Sequence, residues 1–350
     1  MDMKKTISIL PLFKQFIRDT ETGKRLKKNG EKIKLGSISN YKYVLNNLTK
    51  FTLETGFELR ICDVSKVNKR ELTSEKNYWK KFYKKFTEYL YKRGCFDNYV
   101  GASIKIIRTF FNYLKYDRDI NTGDFQRLFY IRNEQIDILV LSPEQLKFLI
   151  FNKEFEENLT PTLKHIKDIF VFGCITGLRY SDIFLLGSKN FEKQQEDLYL
   201  KLRSQKTKTY SYIKLPKYAI AIYKKYKPTN TKNTVFKKIT LPNFNKNLKL
   251  LGEKANFTTP IEVSREKQGK ALNMSKGTAK TLNRFCDKMS SHMMRRTAIT
   301  TLLILGMPEH LVRKISGHSY ASNCFNRYVH YAQPYLDKEI DKVYSKLETY

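Results

Sequence analysis

From Ser39 onward the apolar residues Tyr41, Val44, Leu45, Leu48 and Phe51 return every three or four positions, the spacing of one helix face, behind a serine cap at Ser37 or Ser39. A second run sets Trp79, Phe82, Tyr83, Phe86, Tyr89 and Leu90 on one stripe, fills the other faces with Lys80, Lys81, Lys84, Lys85, Lys92 and Arg93, and closes at Gly94. A third carries Ile104, Ile107, Phe110, Phe111 and Leu114. The opening MDMKKTISILPLFKQ turns from basic to apolar, but Pro11 and Lys14 break the apolar piece and no small-residue cleavage site follows. It reads as the first helix. Residues 8–117 are therefore expected to form a small helical bundle with basic outer faces.

The periodicity fades after residue 117, and polar breakers place a linker at 118–138. A second domain, 139–350, opens with SPEQ: Ser142 caps a helix, Pro143 takes its first position and Gln145 completes a capping box. Another helix starts at Thr160-Pro161 and runs into the apolar IFVFGCITGL. Residues 197–216 alternate apolar and polar positions on both sides of a polar turn, a hairpin pattern. Helical spacing then returns, interrupted by a polar, basic stretch at about 256–285. Near the end Ile340, Val343 and Leu347 make a one-sided stripe on a helix expected at about 333–348. The fold class is mainly α with a small antiparallel β-sheet.

Charge narrows the partners. Lysine and arginine number 66 against 34 acidic residues, a formal excess of 32 spread along 350 residues, as suits a body that meets a polyanion over a broad face. A merely basic soluble protein has the same composition, so charge alone does not decide. The five cysteines, Cys62, Cys95, Cys174, Cys286 and Cys324, are scattered without a CxxC pair, which argues against a disulfide framework or a zinc site and for a reducing cytoplasm. No apolar run reaches the roughly 18 to 20 residues a membrane span needs.

The sequence holds no phosphate loop, no HExxH and no Gly-rich dinucleotide turn. It does hold a set of cations and a phenol. TGLRYSDI (176–183) puts Arg179 at a helix start, with Asp182 three residues on, where a carboxylate can hold a guanidinium that faces a phosphate. A surface salt bridge is the equally weighted alternative. Lys206 stands at the tip of the expected hairpin, with Lys208 as its rival. In SHMMRRTAITTLLILG (291–306), His292 and Arg295 are three apart on a helix, with Ala298, Leu302 and Leu305 free to pack inward. Then GHSYASNCFNRYVHY (317–331) gives His318 directly after Gly317, and three tyrosines, Tyr320, Tyr328 and Tyr331. With 23 tyrosines in the chain, one lying near a histidine means little by itself.

In this order, the arginine of TGLR, a hairpin lysine, an HxxR pair, GH and a following tyrosine, the chain resembles the tyrosine recombinases, also called the phage integrase family. The resemblance spans nearly the whole chain. It implies a helical, SAM-like core-binding domain at 8–117 and a mixed α+β catalytic domain at 139–350. It implies Arg179, Lys206, His292, Arg295, His318 and Tyr328 as catalytic residues, with Asp182 and Arg296 in support. Tyr328 would be the nucleophile, Lys206 would protonate the leaving 5′-oxygen, His292 would move the tyrosine's proton and His318 would bind the phosphate. Ten residues separate His318 from Tyr328, one more than is common in the family, and Arg296 stands where many members have histidine.

The activity implied is site-specific DNA recombination through a 3′-phosphotyrosyl intermediate, with no metal, ATP or other cofactor, in integration or excision of a mobile element. The partners implied are double-stranded DNA carrying recombination sites, three further copies of the chain with exchange of carboxy-terminal helices, and accessory DNA-bending or directionality proteins. The expected place is a prokaryotic cytoplasm, at the nucleoid. Two other readings use the same residues: a type IB topoisomerase, which shares the chemistry, and a non-catalytic DNA-binding regulator, which would form no covalent adduct.

Overall fold

The computed structural model describes residues 6–205, 209–227, 234–274, 283–319, 322–332, 337, 340–342, 344 and 345. The chain divides into two compact units: one runs to Ile136 and regains Ser264–Met274, the other holds Asp137–Val263 and the residues from Ser275 on.

In the first unit a short strand β1 (Thr6–Ser8) leads into helix α1 (Ile9–Thr22) and then α2 (Leu35–Thr55). Strand β2 (Arg60–Cys62) pairs antiparallel with β1, and helices α3 (Lys69–Lys92) and α4 (Asp97–Asp117) follow. The expected serine cap of α2 is not used. The helix begins four residues before Ser39, and the Ser39 hydroxyl bonds back to the Leu35 carbonyl within it. The start of α3 is a capping box between Asn68 and Glu71, and Gly94, at φ 82°, ends it in the left-handed region glycine favours. The core is aromatic: Trp79 meets Phe111 edge-on at 4.8 Å, and Phe13, Phe16, Phe51, Phe82 and Phe86 are fully buried around them. Glu75, with no exposed surface, is held by a two-pronged bond from Arg60, both contacts 2.8 Å. Part of the stretch expected as a linker, 118–138, is folded onto the first unit. Phe125–Leu128 forms a 3-10 turn, and Phe125 and Phe129 fill the same core.

The second unit opens with α5 (Pro143–Phe151), whose capping box of Ser142 and Gln145 and leading proline are as the sequence predicts. The short α6 (Lys153–Glu157) precedes α7 (Pro161–Thr176), capped by Thr160, and a four-residue α8 (Tyr180–Ile183). A three-stranded antiparallel sheet follows, β3 (Phe191–Gln194), β4 (Asp197–Arg203) and β5 (Tyr210–Lys214), with β4 in the middle. Its β4–β5 pair is the expected hairpin, paired from Tyr199↔Lys214 to Arg203↔Tyr210. Then come α9 (Lys217–Tyr226) and α10 (Leu241–Lys254).

The basic stretch at 256–285 contains a second hairpin, β6 (Ser264–Lys267) and β7 (Lys270–Asn273), which belongs to the first unit. Buried Asp97 accepts the backbone N–H groups of Gln268 and Gly269 at 2.8 and 2.7 Å. Buried Glu134 accepts from Arg265 and from the backbone N–H of Glu266. Neither carboxylate is left unpaired, as burial of a charge requires.

The second unit ends with α11 (Ser291–Ile304), α12 (Glu309–Ser316) and α13 (Asn323–Tyr331). Helices α7 and α11 approach so closely that a β-carbon at Gly173 would collide with Met294. The inward face of α11 differs from the expected one. Ala298 is buried but Leu305 lies just past the helix end and is 71% exposed, while Ile299 and Leu303 pack with Ile138, Val312, Phe325 and Tyr328. The expected carboxy-terminal helix lies largely outside the described residues, as do Val343 and Leu347; Ile340 is exposed.

Candidate active site

Helix α7 ends at Gly177, which takes φ 65°, and the chain turns so that Arg179 caps the start of α8. The Gly177 carbonyl accepts a hydrogen bond of 3.0 Å from Arg295 Nη1, one turn into α11. The other arm of Arg295, Nη2, donates to the Ser316 carbonyl at the end of α12 and lies 3.3 Å from His318 Nδ1. Two carbonyls from separate elements thus fix one guanidinium beside the imidazole. Buried Ser316 donates its hydroxyl to the Val312 carbonyl at 2.7 Å and stands 2.8 Å from His318 Nδ1. With its own proton so committed, Ser316 accepts from Nδ1–H, and the lone pair of the neutral ring is left on Nε2.

Burial, then the cations Arg295, Arg179 and Arg313, push His318 down to about 4, so the ring is neutral near pH 7. Burial and the neighbouring Arg179 push Arg295 down to about 10, where it keeps its charge. Among the described residues neither Arg179 nor Arg295 forms an ion pair; their positive charges are held by carbonyl and hydroxyl oxygens.

Tyr328, on α13, is 6% exposed, and its ring lies 5.8 Å from that of His318, edge to face. Arg295 and half-buried Arg296 are its cationic neighbours. Helix α13 is fixed to α12 by buried Arg313. This guanidinium bonds Glu309 at 2.7 Å, the Ser319 carbonyl at 3.1 Å and Asn326 Oδ1 at 3.1 Å, and lies 4.0 Å over the Phe325 ring.

Arg179 and Asp182 do not pair directly as the sequence suggests. Arg179 Nη1 donates to Ser204 Oγ at 3.0 Å, Ser204 donates to Asp182 Oδ2 at 3.0 Å, and the Gln205 N–H donates to Asp182 Oδ1 at 3.3 Å. The arginine's carboxylate contact is one hydroxyl removed because Asp182 is buried and turned toward the sheet. Lys206 and its rival Lys208 lie outside the described residues, as do Tyr320 and the side chain of Tyr331. His292 is exposed while Arg295 is buried, so the two residues do not share one environment although both lie on α11. The structure therefore gathers Arg179, Arg295, His318 and Tyr328, with Asp182 behind and Arg296 beside them. Sequence reasoning did not find Ser204, Ser316 or Arg313; serines and arginines are common, and nothing in their local spacing marks them.

The glycine of GH has a structural reason. Gly317 ends α12 at φ 63°, and a β-carbon there would come within 2.6 Å of Thr209 Oγ1 at the base of the β4–β5 hairpin. The hairpin also reaches α12 through Ser211, whose hydroxyl donates to the Ile315 carbonyl at 3.2 Å.

The architecture is that of the tyrosine recombinases. The chain belongs to the phage integrase family, whose model matches residues 140–334, more than half of its length. A Tn1549 transposon integrase solved with circular intermediate DNA is 16% identical, with TM-score 0.56, over 92% of this chain and 95% of that one. The XerH site-specific recombinase bound to its difH substrate is 14% identical, with TM-score 0.55, over 91% and 92%. A lambda integrase dimer on a core site is 8% identical, with TM-score 0.59, over 93% and 78%. No similar sequence is found among curated proteins.

Proposed function

We propose that this protein is a site-specific recombinase that cuts and rejoins double-stranded DNA through a covalent 3′-phosphotyrosyl intermediate, with Tyr328 as nucleophile. The observation that carries the reading is the convergence of Arg179 and Arg295 on His318 and Tyr328 with, among the described residues, no carboxylate paired to either guanidinium. Two cations held together in a partly buried site repel each other unless an anion joins them, and a phosphodiester is an anion that two guanidinium forks can share.

In the chemistry proposed, the Tyr328 oxygen attacks phosphorus while the P–O5′ bond breaks. Arg179 and Arg295 neutralise the charge that builds on the non-bridging oxygens, work that preorganised cations do well. Once protonated beside the bound phosphate, His318 hydrogen-bonds it through Nε2–H, and Arg296 and Asp182 support the site. Lys206 is assigned to proton donation at the 5′-oxygen and His292 to proton transfer at the tyrosine. The bond energy stays in the phosphotyrosine, so rejoining needs neither metal nor ATP.

The helical first unit, with Lys80, Lys81, Lys84 and Lys85 exposed along α3, is proposed as the core-binding domain. Integration or excision of a mobile element is the proposed setting, in a prokaryotic cytoplasm; the transposon and lambda integrases among the similar structures support it. Action as a tetramer that exchanges carboxy-terminal helices, aided by DNA-bending or directionality proteins, completes the proposal.

The test is a nicked suicide substrate carrying the attachment site, scored for a denaturation-resistant protein–DNA adduct. Wild type forms the adduct and Y328F does not. An adduct that survives Y328F but is lost in Y320F or Y331F would move the nucleophile to another tyrosine, and no adduct from wild type on a verified site would favour a non-catalytic DNA binder.

A further inference from the structure

Ser204 stands where three parts of the catalytic unit meet. It is 6% exposed and is the first residue past the end of β4. Its hydroxyl accepts from Arg179 Nη1 and donates to Asp182 Oδ2, each at 3.0 Å. Its backbone N–H donates to the Thr209 carbonyl at 2.9 Å and so closes the base of the hairpin turn. The next N–H, that of Gln205, goes to the second oxygen of the same aspartate at 3.3 Å. Asp182 therefore grips Gln205, the residue just before Lys206 in the chain, and among the described residues the link of its carboxylate to Arg179 runs through the serine hydroxyl.

Accepting from Arg179 and donating to Asp182, that hydroxyl uses its proton and a lone pair at once. The separation matters electrostatically. A carboxylate bonded directly to Arg179 would neutralise it, whereas a neutral hydroxyl fixes the fork and leaves its charge for a phosphate.

We infer that Ser204 is a positioning residue that makes phosphate binding by Arg179 and placement of the Lys206 turn a single arrangement. This rests on the assignment of Lys206 as the general acid. In the cleavage step the Tyr328 oxygen bonds to phosphorus, the P–O5′ bond breaks with its electron pair going to O5′, and a proton from the Lys206 ammonium completes the 5′-hydroxyl. A 5′-bridging sulfur in place of oxygen leaves readily as thiolate and needs no such proton.

The experiment measures single-turnover adduct formation by full-length wild type, S204A, S204T and K206A on two DNAs that differ only in that bridging atom, alongside DNA affinity. S204A is expected to slow cleavage of the oxygen substrate about 10²-fold, the lower end of what general-acid catalysis contributes. Its affinity should stay within about twofold of wild type, because the many phosphate contacts elsewhere are untouched. On the sulfur substrate it should regain about tenfold or more relative to wild type, the remaining deficit belonging to Arg179. S204T, which keeps the hydroxyl, should cleave the oxygen substrate within a few-fold of wild type.

An S204A protein as fast as wild type, or equally slow on both substrates while K206A recovers on sulfur, overturns the inference alone. If K206A gains nothing from sulfur, the assignment of Lys206 fails and the inference falls with it.

Discussion

Arg295 donates its Nη1 proton to the carbonyl of Gly177 at 3.0 Å, so the HxxR helix and the TGLR turn are joined by one buried hydrogen bond. The bond explains why the turn must end in a left-handed residue there. At φ 65°, Gly177 ends α7 where its carbonyl oxygen meets a guanidinium 118 positions away in sequence.

Replacing Arg295 with lysine keeps the charge but removes the fork that spans the Gly177 and Ser316 carbonyls. The expected result for R295K is a fall of about 10²- to 10³-fold in single-turnover adduct formation, the range for losing a preorganised donor at a transition state. DNA affinity, measured by fluorescence anisotropy, should change by less than tenfold, since most of it comes from phosphate contacts elsewhere.

His318 gives the protein a pH dependence whose sign follows from its position. Its folded value, about 4, lies below the ordinary 6.5, so between these values the unfolded chain binds more protons. This share of stability is complete above about pH 6.5 and is lost as pH falls toward 4. The ring is partly open to solvent, which reduces the effect to about 1–2 kcal/mol. H318Q should lack it: the melting-temperature difference between wild type and variant should shift against wild type as pH is lowered from 7 to 4.5. A shift in the opposite direction would show that the folded ring is the better base.

A phosphate between Arg179 and Arg295 should reverse that depression, because an anion beside His318 favours the imidazolium. DNA binding should then take up protons near pH 6. Isothermal titration calorimetry in two buffers of different ionisation enthalpy measures the uptake directly, and H318Q should reduce it.

Gly317→Ala combines a left-handed backbone with a contact of 2.6 Å to Thr209 Oγ1. A loss of about 1–3 kcal/mol in denaturant-induced unfolding is expected. The double variant with T209G should recover part of it, because the steric component is removed and only the backbone strain remains.

Glu75→Ala should destabilise the first unit by about 3–5 kcal/mol, as it strands the Arg60 guanidinium beside a fully buried gap. Circular dichroism melts can show this, and E75Q should be milder because it keeps one acceptor for Arg60.

What could be read from the sequence was local. The cap at Ser142 and the helix start at Thr160-Pro161 each depend on residues within one turn, and both are present as expected. The β1–β2 pair joins residues more than fifty positions apart through three residues each, too few to show alternation. The hairpin at 264–273 escaped for another reason: every residue of β7 is exposed, so it has no apolar face to betray it. At the site, order along the chain pointed to Arg179, Arg295, His318 and Tyr328, but it could not show that Asp182 reaches Arg179 through Ser204. The side-chain contacts of Arg313 are equally silent in sequence, since they form only once α12 and α13 are packed.

The hairpin held by Asp97 and Glu134 also bears on the order in which the chain can fold as it leaves the ribosome. Domains emerge from synthesis amino terminus first, yet the first unit is not complete until residue 274 has been made. Until then two carboxylates that will be buried wait for the backbone N–H groups of Glu266, Gln268 and Gly269. A fragment cut at residue 136 would keep the carboxylates and lose the partners that residues 265–269 supply, leaving Asp97 only its bond from the Tyr91 hydroxyl among those described, so the smallest faithful version of this unit is a discontinuous one.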